Sequence, residues 1–135
     1  MRLILRCLLP VLLVLTLQGC SFDLPPINSA YAIEYVGGAV ELNKFQGQRR
    51  WELSKSQLQS LDSWFQSHRS GWSSSYASYV STAEIKIIHS DGSSSSVGLS
   101  ASGLVVVNSG GSQVTQQFEA ALVKQLLMSV GATNG

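Results

Sequence analysis

The first twenty residues constrain everything that follows. Two cations, Arg2 and Arg6, precede an almost unbroken apolar run from Cys7 to Leu17. A helix that spans a bilayer needs about 20 such residues, whereas the core of a secretory signal takes roughly 7 to 15. The run belongs to the shorter class. The folded unit is therefore expected in the rest of the 135-residue chain, which is enough for one domain and not two. The 9 Lys+Arg stand against 8 Asp+Glu. With no cationic surplus to displace counterions from phosphate, a strongly basic nucleic-acid binder is excluded. Two cysteines, Cys7 and Cys20, are too few for a disulfide scaffold or a CxxC-type metal site.

The apolar run closes on Leu17-Gln18-Gly19-Cys20. This segment resembles the lipobox of bacterial lipoproteins, where an aliphatic, a variable and a small residue precede a lipid-accepting cysteine. The resemblance implies cleavage between Gly19 and Cys20, loss of residues 1–19, and a thioether from the Cys20 sulfur to diacylglycerol. Membrane lipid is then the first partner, held through N-terminal acyl chains. Each buried methylene contributes about 0.8 kcal/mol, so two or three such chains make a near-permanent anchor. No thiol remains for other chemistry. By the family's sorting rule, Ser21 after the cysteine, in place of aspartate, implies the outer membrane, with the domain facing the periplasm. Residues 20–30, with Asp23 and Pro25-Pro26, read as a lipidated N-terminus and a short, stiffened tether.

Beyond the tether, a single domain is expected over 31–131, with 132–135 as a frayed tail. Tyr31, Ile33 and Tyr35 alternate with small or charged residues, and Gly37-Gly38 leads to Val40-Glu41-Leu42-Asn43. That pattern suits a hairpin or one long strand with a glycine bulge. Arg49 to Leu53 reads as a further strand. Ser54 with Gln57 has the form of a capping box, and Leu58, Leu61, Trp64, Phe65 and His68 recur at helical spacing until Gly71. Ser70 to Thr82 is serine-rich with interleaved aromatics and reads as a loop. Ala83 to His89 alternates as a strand, Asp91-Gly92 predicts a type I′ hairpin, and Ser93 to Leu99 returns. Leu104 to Val107 is a β-branched run expected inside the sheet. Asn108 to Gly111 reads as a loop and Gln113 to Val130 as a second helix.

The order predicts an α+β fold: two layers, with an antiparallel sheet and both helices on one face. The two halves share a rhythm but not residue identity. Trp64, Phe65, Ile87, Val106, Phe118 and Leu122 are the expected core.

No catalytic motif emerges. GxSxG, SxxK, HExxH and a phosphate loop are all missing from the sequence, so no catalytic residue, metal or cofactor is assigned. His68 falls in a last helical turn, where its partial charge suits the dipole. His89-Ser90-Asp91 has the composition of a triad, but adjacent strand residues point to opposite faces. Two features qualify as recognition surfaces. Trp72, Tyr76 and Tyr79 set large rings among serines, a composition suited to binding, although such rings also fold back onto cores. Arg49-Arg50-Trp51 is a basic and aromatic spot, although paired arginines also protect strand edges. The function favoured is a non-enzymatic accessory or binding lipoprotein of the cell envelope with a protein or envelope partner. The alternative is an inhibitor or immunity protein against a periplasmic cell-wall hydrolase.

Overall fold

The computed structural model describes residues 21–35 and 47–133. Among the described residues, seven strands and two helices follow one another as β1 (Ile27–Tyr35), β2 (Gln48–Glu52), α1 (Lys55–Ser67), β3 (Ser73–Ser74), β4 (Ala83–His89), β5 (Ser94–Leu99), β6 (Leu104–Ser109), β7 (Ser112–Gln117) and α2 (Ala120–Ser129). They form one antiparallel sheet in the order β2-β1-β4-β5-β6-β7-β3, with both helices on one face. The expected α+β architecture is present. The hairpin anticipated around Gly37-Gly38 lies outside the described residues.

Helix α1 starts where its capping box dictates. The Gln57 amide donates to Ser54 Oγ at 3.3 Å, and the Ser54 amide donates to Gln57 Oε1 at 2.8 Å. Leu61 and Phe65 face inward. Against them the sheet presents Ala30, Ala32, Ile85, Ile87, Val97, Leu99, Val105 and Val107, and α2 adds Val123, Leu126 and Leu127. In β1 the alanines, not the tyrosines, point into this core. Small side chains there let the helical layer close on the sheet, while Tyr31, Ile33 and Tyr35 occupy the opposite, half-exposed face. Of the expected core, Phe65 and Ile87 are buried, and Trp64 and Phe118 pack against the core from its margin. Leu122 is half-buried. Val106 is only 6% exposed but points to the sheet's other face, being out of phase with Val105 and Val107.

Four features differ from the sequence reading. The second helix does not begin at Gln113. Ser112 to Gln117 instead pairs along β6, joined to it by Gly110-Gly111 at φ +58° and +79°, the conformation that a two-residue type I′ loop demands. A run mixing Gln, Val and Thr satisfies either period, and pairing with β6 decides it. The Asp91-Gly92 hairpin is present with a three-residue loop, Gly92 at φ +85° closing it and His89 N–H donating to the Ser93 carbonyl. The third difference concerns the expected tether. Leu24 and Ala30 are buried in the core, β1 already starts at Ile27, and the Phe22 amide donates to the Arg69 carbonyl at 2.7 Å. Asp23 accepts from Arg69 Nη2 at 2.8 Å. Apolar residues at 22, 24 and 27 outweigh the proline signal, and the stretch belongs to the domain. At the other end, Ala132 and Thr133 are tied down by hydrogen bonds to Leu127 and Glu34 rather than frayed.

Candidate functional site

Among the described residues, the second face of the seven-stranded sheet carries no helix, and the segment from Ser75 to Thr82 crosses it. Leaving edge strand β3, the strap is held by the Gln113 side chain, whose Nε2 donates to the Ala77 carbonyl at 2.8 Å. It ends where the Thr82 amide and hydroxyl both donate to the Leu99 carbonyl, at 2.8 and 3.0 Å. Just before that end, Ser81 sits on Gly98, where a Cβ would come within 2.4 Å of the serine oxygen. Glycine at 98 lets the Ser81 hydroxyl lie directly on the strand, and a side chain there would first have to turn that hydroxyl aside. This crossing is what covers Val106.

The strap carries an exposed apolar surface. Tyr76 is fully exposed, Val80 about half exposed and Tyr79 just over a third exposed. Tyr79 is not loose, since its hydroxyl shares a 2.6 Å hydrogen bond with Ser75 Oγ, which also accepts from the Ala77 amide. Beside the strap, β1 and β4 add Tyr35, Ile33, Ile88 and the Lys86–Glu84 ion pair at 2.9 Å. Burial, and after it the charge on Glu84, pushes the Tyr35 phenol above its ordinary value. It thus stays neutral at physiological pH.

Trp72, expected in the same loop surface, is not part of it. At 1% exposure it is one of the most buried side chains, packed among Phe22, Phe65 and Phe118 with ring centroids 5.6 to 6.1 Å away. Its indole Nε1 donates to the His68 carbonyl at 2.7 Å, capping the end of α1. A large ring four residues after the helix C-cap at His68 is a natural plug for the layer beneath it.

The basic spot is likewise divided. Arg49 stacks on Trp51 at 4.1 Å, reaches Glu34 at 3.5 Å and donates to the Gly131 carbonyl. Trp51 Nε1 donates to the Val130 carbonyl at 2.8 Å. These two residues stitch β2 to the end of α2. Arg50 points the other way and stacks on Tyr31 at 3.7 Å. Alternation along β2 separates what the sequence sets side by side.

Neither histidine meets a carboxylate. His68 Nδ1 donates to the Trp64 carbonyl at 2.7 Å within α1's last turn. His89, 2% exposed, bonds through Nε2 to Ser95 Oγ at 2.6 Å, and Ser95 donates onward to Ser109 Oγ at 2.7 Å. Since the Ser95 proton is committed to Ser109, His89 Nε2 must be the donor, and its buried Nδ1 is left without a partner. An imidazole in that tautomer cannot take a proton from Ser95. Asp91 is occupied by Ser93, whose hydroxyl and amide hold its carboxyl below the usual range. The geometry does not assemble the triad. The buried His89–Ser95–Ser109 chain escaped sequence reasoning, although inward phase at 89 and 95 would have exposed it. Among the described residues, no three His, Cys, Asp or Glu cluster as metal ligands, and no helix is long and apolar enough to cross a membrane.

No family model, curated protein or solved structure matches this chain.

Proposed function

We propose that the chain is a lipoprotein anchored through acyl chains on Cys20 to the periplasmic side of the outer membrane, serving as a non-enzymatic binding or accessory protein of the envelope. The anchor reading rests on Leu17-Gln18-Gly19-Cys20 behind a charged and then apolar leader. The binding reading is carried by one observation: Tyr76, Tyr79 and Val80 stand exposed on a strap that hydrogen bonds fix to a rigid sheet. Aromatic side chains held in place lose little entropy when a partner covers them. The partner is a protein or another envelope component that meets this strap.

Two measurements test the proposal. Mass spectrometry of the mature chain should find diacylglycerol on Cys20, and Cys20→Ser should yield a soluble or unprocessed form. A cleaved Cys20→Ser product that still fractionates with membranes would refute the anchor. For the strap, a photo-crosslinking residue at 76 or 79 should capture a discrete adduct that the same probe at Glu52 does not. Identical adduct patterns from all three positions would refute the binding surface.

A further inference from the structure

The docked N-terminus fixes which end of the domain meets the membrane. Phe22 is clamped by the hydrogen bond from its amide N–H to the Arg69 carbonyl and by its ring against Phe65 and Trp72, and Asp23 pairs with Arg69. Only Ser21 separates Phe22 from Cys20 in the sequence. Two fully extended residues reach about 7 Å, whereas a ten-residue tether would reach about 33 Å. An anchor at Cys20 therefore leaves the domain no room to stand away from the bilayer.

We infer that the end of the domain formed by Ser21 to Asp23, Arg69 to Gly71 and edge strand β3 rests on the lipid headgroups. The inference depends on lipidation of Cys20. The surface there is small and polar: Ser21, Asp23, Arg69, Ser70, Gly71, Ser73 and Ser74 are all exposed. Such a surface suits the hydrated headgroup layer and not the hydrocarbon interior. Helix α1 measures the opposite limit. Its C-terminal end adjoins the clamp, while its N-terminal end follows Leu53, whose amide donates to Ala30 on β1. Thirteen helical residues at 1.5 Å rise span about 20 Å, with Ser70 just beyond the C-terminal end of α1 and Glu52 on β2 just before its N-terminal end.

The full lipidated protein in vesicles of phosphatidylethanolamine and phosphatidylglycerol provides the test. Because acylation consumes Cys20, a fluorophore can be placed uniquely through Ser70→Cys, Ser73→Cys or Glu52→Cys. A headgroup-nitroxide lipid should quench the labels at 70 and 73 several-fold more than the label at 52. A lipid with the nitroxide deep in the acyl chain should quench none of them strongly. Inserting a flexible glycine-serine segment between Cys20 and Ser21 should erase the contrast. Equal quenching at all three positions on a chain whose Cys20 is acylated by mass would overturn this orientation and leave the anchor standing. A free Cys20 thiol in the mature chain would overturn both.

Discussion

Asp23 and Arg69 form an exposed pair whose effect depends on protonation. The hydrogen bond from Arg69 is the main reason the Asp23 carboxyl lies below its ordinary value. A carboxyl depressed in the folded state stabilises above its unfolded value, about 3.9 for aspartate. That contribution is lost as pH falls through the lower folded value. Hydrogen exchange at the Phe22 amide should accordingly speed up relative to core amides as pH drops below about 4, and Asp23→Asn should show the same faster relative exchange at neutral pH. A second residue-scale expectation concerns the buried His89. Ser95→Ala removes the acceptor for Nε2 and leaves both ring nitrogens unpaired, which costs about 1–3 kcal/mol. Urea denaturation reads this directly; an unchanged midpoint would mean that water or a shifted rotamer replaces the serine.

Single elements depend on close fits that the sequence shows unevenly. Gly98→Val should lift the strap, because its first carbon already collides with Ser81. The expected result is faster proteolysis within 75–82 together with a stability loss of about 1–3 kcal/mol, typical of overpacking. Trp72→Ala should cost more, about 3–5 kcal/mol, since it empties the centre of the aromatic cluster. Tyr76→Ala, at a fully exposed ring, should leave the thermal midpoint unchanged. Trp72 and Tyr76 look alike in the sequence, as rings set among serines. Burial separates them only because a two-residue strand turns Trp72 under the sheet edge and lets Tyr76 emerge. Where a local rule was self-sufficient, as in the capping box at Ser54 or the alternation of β4, the sequence was enough to place the element. It misled where two periods fit equally well, at 113–117, and where proline suggested a linker, at 25–26. The first was decided by hairpin pairing with β6 and the second by contacts distant along the chain, with Arg69 and the core.

For the whole molecule, the order β2-β1-β4 is the informative feature, since β1 and β4 pair across an intervening strand, helix and edge strand. No local pattern announces that pairing. The helical layer, by contrast, was readable from periodicity, as was the single-face packing. The candidate surface was legible only in part: the segment was visible, but which of its rings face outward was not. A seam closes the assembly. Glu34 on β1 accepts from the Thr133 amide and hydroxyl, each at 3.1 Å, while Arg49 and Trp51 reach the carbonyls of Gly131 and Val130. Val130 itself is buried in the core. Ending the chain at Ser129 should therefore abolish a cooperative unfolding transition, as followed by circular dichroism.

That seam also governs when the fold can be completed. Glu34 on the first strand waits for Thr133, 99 residues further along, so translation must run that far before the contact that locks β1 can form.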